Sequence, residues 1–94
     1  MLKKIYIGKI PSITTDKKLF NHFSQVGKVI SATIVKGISP EKHAGYGYVV
    51  MSNENDMKVA IRKLNSSILD GNRILVIEAH PIDQEKKQYY YRRY

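Results

Sequence analysis

The sequence predicts an α+β fold, a β-α-β-β-α-β sandwich in which a four-stranded antiparallel sheet carries both helices on one face. Three observations predict it. Four short segments are β-branched or alternate apolar with polar residues, two longer ones repeat apolar residues at helical spacing, and Gly, Pro or Asp-Gly punctuates between them.

The first strand covers Lys3–Gly8, where Ile5 and Ile7 share one face and Lys4, Tyr6 and Gly8 the other. Pro11 ends it, Thr14 and Thr15 are N-cap candidates, and Asp16 suits a first helical turn. Leu19, Phe20, Phe23 and Val26 recur at helical spacing until Gly27 stops the helix. Val29–Val35 is a β-branched second strand, Lys36–His43 a loop containing Gly37 and Pro40, and Gly45–Met51 a third strand. Asn53 with Asp56 forms a weak capping box ahead of the stripe Met57, Ala60, Ile61 and Leu64. Asp70-Gly71 is a turn, Ile74–Ala79 the last strand, and Pro81 closes the unit. The expected organisation is one domain over residues 1–82 and a basic, tyrosine-rich tail over 83–94.

The 94 residues hold no cysteine, which removes disulfides, thiolate zinc sites and a cysteine nucleophile. No apolar run approaches the roughly 18–20 residues of a membrane span. The start, Met1 to Gly8, has lysines ahead of apolar residues, but Lys9 returns too soon for a signal peptide. The expected setting is the cytoplasm. A formal charge of +8 favours polyanionic partners, phosphate backbones foremost.

The third strand is the informative one. In Ala44-Gly45-Tyr46-Gly47-Tyr48-Val49-Val50-Met51, alternation sends Tyr46, Tyr48 and Val50 one way, and Val49 and Met51 the other. Val49 and Met51 suit a core beneath the helices. Tyr46 and Tyr48 then stand on the open face, with Gly47 between them adding no side chain that would cover them. Tyr6 shares that face. Tyrosines are common in strands for packing reasons, yet three on one exposed face of a basic chain point to base stacking.

These residues resemble the RNA recognition motif. The octapeptide K/R-G-F/Y-G/A-F-V-x-F/Y of that family is followed by Ala44–Met51, and Ile5-Tyr6-Ile7-Gly8-Lys9-Ile10 resembles its partner hexapeptide. Leu19, Phe23, Gly27-Lys28-Val29, Ala60-Ile61, Leu64-Asn65 and Gly71 also fall where the family has them. The resemblance spans about residues 3–80 and looks closest to compact bacterial single-domain members. It implies a ferredoxin-like sandwich that binds single-stranded RNA, with Tyr6 and Tyr48 stacking bases and Tyr46 against sugar or between nucleotides. It also implies that backbone groups around Ile77, Glu78 and Ala79 read base edges.

Two departures bear on affinity. Ala44 stands where the family usually places a basic residue, so Lys42 or His43 would have to compensate, though alternation points His43 differently. Lys9 replaces the usual asparagine and adds a cation at the sheet edge, and Lys4 on the open face is a further candidate for RNA contact. Leu75 and Ile77 are offered to the open face if Ile74 and Val76 point inward, with Thr33 and Val35 of the second strand flanking them. Such exposed apolar residues suit base contact, a protein interface or cover by the tail equally. In that tail, Lys86, Lys87, Arg92 and Arg93 interleave with Tyr89, Tyr90, Tyr91 and Tyr94, as in nucleic-acid-contacting arms.

The same layout hosts small acylphosphatases, but no phosphate loop, paired carboxylates or metal-ligand spacing is present. His22, His43 and His80 are scattered and expected to be exposed. Asn65-Ser66-Ser67 matches a glycosylation acceptor and reads as a helix end. No catalytic residue, metal, cofactor, membrane or small-molecule substrate is expected. The expected partner is single-stranded RNA, with single-stranded DNA not distinguishable, and the expected state is a monomer. The expected tasks are post-transcriptional regulation or RNA chaperoning. The alternative is the same fold used for protein binding without RNA.

Overall fold

Strand β1 (Lys4–Gly8) lies in the interior of the sheet, and its core-facing residues, Ile5 and Ile7, are wholly buried. The computed structural model describes residues 3–37 and 43–79, with backbone alone at Lys36, His43 and Ala44. In chain order the other elements are α1 (Asp16–Ser24), β2 (Val29–Lys36), β3 (His43–Met51), α2 (Glu54–Leu64), β4 (Ile68–Leu69), β5 (Asn72–Arg73) and β6 (Leu75–Glu78). The sheet has the order β2-β3-β1-β6 and is antiparallel throughout, while β4 and β5 form a separate hairpin. The expected α+β architecture is therefore the observed one.

Both helices begin where short polar side chains can accept backbone hydrogen bonds. Thr15 caps α1, its hydroxyl accepting from the Lys18 N–H at 3.2 Å. Asn53 caps α2, its Oδ1 accepting from the Asp56 N–H at 2.8 Å. Thr14, the other cap candidate, is instead buried and donates its hydroxyl to Asp70 at 2.7 Å. The capping box is not reciprocal either, because the Asp56 carboxylate accepts from the Lys28 N–H at 3.0 Å.

The core lies between the helices and one sheet face. Leu19 and Phe23 from α1, with Met57, Ala60 and Leu64 from α2, cover Ile5, Ile7, Val49, Met51 and Val76. Two expectations for α1 need correction. Phe20 lies off the buried stripe and is 38% exposed. The helix ends at Ser24, before Gly27, so Val26 packs on the core from the following turn.

Polar side chains tie the layers together. The Asp16 carboxylate accepts from the Ile34 N–H at 2.8 Å, beside the register shift in β2. Asn65, which ends α2, accepts from the Val76 N–H at 2.9 Å. Each bond occupies an edge-strand donor that would otherwise invite another strand.

A second seam joins α1 to the hairpin. Besides Thr14, Lys18 reaches Asp70 at 3.4 Å, and His22 Nε2 lies 2.9 Å from the Ser67 hydroxyl. His22 is thus half-buried, not exposed as expected. The hairpin turns on Asp70 and Gly71, whose φ values of 50° and 86° are the pair that a two-residue hairpin requires. The Thr14 hydroxyl, then Lys18, holds the Asp70 carboxyl below its usual range.

Candidate nucleic-acid interface

The open face is a grid set by strand register. Side chains directly opposite in neighbouring antiparallel strands share a face and lie close together. Thr33 stands opposite Tyr48, Tyr48 opposite Tyr6, and Tyr6 opposite Ile77, which makes one continuous row across all four strands. On one side of it lies the row of Ser31, Val50 and Lys4. On the other side Gly8 stands opposite Leu75.

Tyr6, Tyr46 and Tyr48 come together in the middle of this grid. The Tyr6 and Tyr46 rings stack with centroids 5.7 Å apart and an interplanar angle of 25°. Tyr48 meets Tyr6 edge-on at 5.9 Å and Tyr46 edge-on at 6.2 Å. Such offset and T-shaped arrangements are favoured by the ring quadrupoles. All three rings are half-buried, so each retains surface for a planar ligand. The Lys4 ammonium lies 5.2 Å from the Tyr48 ring centroid, a cation–π contact at the platform's border.

Two glycines shape the platform for reasons that differ from the sequence-based one. A Cβ on Gly47 would collide with the Thr33 carbonyl oxygen and lie 2.9 Å from Ile34 Cα. Gly47 therefore lets the β2 backbone approach, rather than clearing space beside the tyrosines. Gly8 does clear that space, since a Cβ there would lie 3.1 Å from the Tyr6 ring. Its place on the open face was visible in the alternation, whereas its contact with the ring was not.

The remaining candidates are placed unequally. Leu75 and Ile77 point to the open face, 36% and 44% exposed, while Ile74 and Val76 are buried. Thr33 and Val35 do not flank them. They lie on β2 at the opposite edge, because β3 and β1 intervene. Ala79 is buried, and its N–H donates to the Lys4 carbonyl at 3.0 Å, so that donor is not available to a base. Lys9 is exposed just past β1 in a left-handed conformation, φ 60°, with its carbonyl accepting from Asn72 at 3.4 Å. His43 opens β3 within what was expected to be loop. Lys42, His80, Pro81 and the tail over 83–94 lie outside the described residues.

The sequence of residues 5–75 matches the family model described as RNA recognition motif. The chain belongs to the RNA recognition motif family. Small ribosomal subunit protein cS22 of Arabidopsis thaliana is 40% identical to it over 76 residues, which are 81% of this chain and 30% of that protein. The 28 kDa chloroplastic ribonucleoprotein of Nicotiana sylvestris is 41% identical over 73 residues, 78% of this chain and 26% of its own length. The chain thus spans less than a third of these curated relatives. Among solved structures, an Sxl-lethal protein/RNA complex superposes with a TM-score of 0.78 at 25% identity, covering 86% of this chain and 48% of that one. The expected affinity to bacterial single-domain members has no support in these plant relatives.

Across the described residues, no helix is long and apolar enough to cross a membrane, and no group of three or more His, Asp or Glu side chains could hold a metal ion.

Proposed function

We propose that this RNA recognition motif domain binds single-stranded RNA by stacking bases on Tyr6 and Tyr48, with Tyr46 against sugar. The observation that carries the proposal is the mutual packing of three tyrosines, all centroids within 6.2 Å, on a face that the helices leave open. Every base offers a π-face, and stacking on an aromatic side chain contributes about 1–3 kcal/mol per base. Two or three stacked bases with a few lysine–phosphate contacts reach the micromolar range, about −8 kcal/mol. Lys4, already beside Tyr48, is placed to meet a phosphate once a base takes over that ring face.

Exposed Leu75 and Ile77 beside Tyr6 supply apolar contact for a further base, and exposed Lys9 supplies a positive charge just past the end of β1. The names of the relatives, a ribosomal subunit protein and a ribonucleoprotein, support an RNA partner. The tasks that suit a small basic platform of this kind are post-transcriptional regulation and RNA chaperoning. The recognition domain covers residues 1–82, and 83–94 form a separate basic tail. The cysteine-free composition suits a reducing compartment, the cytoplasm in our reading. The plastid names of the relatives make an organelle the alternative that cell fractionation distinguishes.

Titration with short single-stranded RNA at two salt concentrations tests the assignment. Amide shifts centred on Tyr6, Tyr46, Tyr48 and β6, with affinity falling as salt rises, are the expected result. A silent platform at low salt would mean that Leu75 and Ile77 mark a protein interface instead.

A further inference from the structure

The β2 edge of the sheet presents apolar side chains that neither the core nor the tyrosine platform uses. Met51 and Val50 are consecutive on β3, yet their partners on β2 are Val29 and Ser31, so Ile30 is the extra residue of a β-bulge. It is 59% exposed, a β-branched aliphatic side chain left out of the ladder. Phe20, 38% exposed, borders the same edge. Asp16, Phe20 and Ser24 follow one another at one-turn intervals along α1, and the first of them reaches the Ile34 N–H on the outer side of β2. The chain reverses after Ser24 to enter β2 at Val29, so α1 and β2 run in opposite directions. One turn of helix advances about 6 Å and two strand residues about 6.6 Å. Phe20 therefore lies level with Ala32, and Ser24 level with Ile30.

We propose that this edge docks an acidic amphipathic helix of a partner protein, seated on Phe20 and Ile30, while RNA occupies the tyrosine face. The form of the edge selects a helix. Strand addition is opposed, because the bulge at Ile30 interrupts the ladder and the Ile34 N–H is already engaged by Asp16. What the edge offers is side chains, which suits a helix that lays its apolar anchors along α1. Charge selects the sign of that helix. Lys17, three residues before Phe20 on α1, and Lys28, two before Ile30, are exposed, and neither forms an ion pair among the described residues. The acid of the row, Asp16, is held on the β2 backbone between them and the core. An anionic flank on the partner would complement these lysines. A second copy of this chain, itself of charge +8, would bring the same lysines to the same edge and meet them with like charge. An RNA backbone would be drawn to the lysines but gives Ile30 nothing aliphatic to be buried against.

The probe is a synthetic helical peptide with leucine at i, i+3, i+4 and i+7 and glutamate on its flanks, titrated into the full chain. Its addition is expected to shift the signals of Phe20, Ile30 and Ala32 and to leave those of Tyr6, Tyr46 and Tyr48 in place. The same peptide with lysine for glutamate should not bind, and one with its leucines scattered around the helix should bind more weakly. Ile30→Ser and, separately, Phe20→Gln change exposed side chains, so the unfolding midpoint should hold. Each should weaken the glutamate peptide about tenfold or more, the scale set by losing a buried apolar side chain, while affinity for a short single-stranded RNA stays that of the parent. Four results would overturn the proposal: no shift with the glutamate peptide, equal binding of the lysine peptide, affinity that neither substitution changes, or the same edge residues shifting with RNA. Sedimentation that shows a dimer abolished by Ile30→Ser would also overturn it, and would assign the edge to a second copy of the chain. The docking does not depend on the RNA-binding reading, since the peptide is titrated without RNA.

Discussion

Strand β3 carries two chemistries one residue apart. Val49 and Met51 face α1 and α2 and are sealed from solvent, whereas Tyr46, Tyr48 and Val50 face away and stay partly exposed. The covered face explains why the strand stays where it is. The open face explains why three aromatic rings, which would stabilise any core, are held where water can reach them. The comparison separates what folds the domain from what the domain presents. Substitutions on the two faces should therefore fail in different ways.

The largest effect is expected on the covered face. Phe23→Ala removes the largest fully buried side chain and should cost about 3–5 kcal/mol of folding free energy. Against the roughly 5–15 kcal/mol typical of a small domain, denaturant unfolding should show a much earlier midpoint. Any loss of RNA binding should track the unfolded fraction. Gly47→Ala comes next, because its Cβ would press on β2 backbone that cannot rotate aside. A cost toward the upper end of the 1–3 kcal/mol typical of overpacking is expected. It should be accompanied by shifts at Thr33 and Ile34 and by a change in the Tyr46 and Tyr48 ring signals. Tyr48→Ala should break the comparison in the other direction, losing about 1–3 kcal/mol of RNA affinity while the unfolding midpoint barely moves. Equal losses of stability and affinity in that variant would mean that the platform is packing and not a binding surface.

Local patterns made most of this arrangement legible. Alternation alone sorted Tyr46 and Tyr48 from Val49 and Met51, and the Asp70-Gly71 pair marked a tight turn. The two strands on either side of that turn are two residues each, too short for any periodicity to register. Strand order was not readable element by element, so Thr33 and Val35 were set beside Leu75 and Ile77 when the whole sheet separates them. The polar ties were also invisible. Asp16 to Ile34, Asp56 to Lys28 and Asn65 to Val76 join positions that meet only after the chain has folded. Asp16 and Asn53 did announce helix starts, because capping is a local interaction. Ala79 was legible as the end of a strand and, through the family resemblance, as a backbone contact, but its N–H bond to the Lys4 carbonyl depends on register with β1 and was not visible.

The smallest effect expected lies on the covered side, at the seam between α1 and the hairpin. Burial lowers the pKa of His22 below its usual 6.5, against a weaker pull upward from Asp70. The folded chain thus holds fewer protons at this position than the unfolded chain as pH falls past 6.5. Stability rises with pH wherever the unfolded state binds more protons. The contribution of His22 is therefore complete above the unfolded value and is lost as pH falls through the lower folded value. Asp70 acts in a separate, more acidic window. Its pKa is depressed from 3.8, so its contribution is present above that value and disappears only below it. Thermal melts of the parent chain should move to lower temperature between neutral and mildly acidic pH, whereas His22→Gln should flatten that dependence. A parent-like pH dependence in the glutamine variant would assign the titration to another group. It would also leave the His22–Ser67 contact as a hydrogen bond without a role in the pH response.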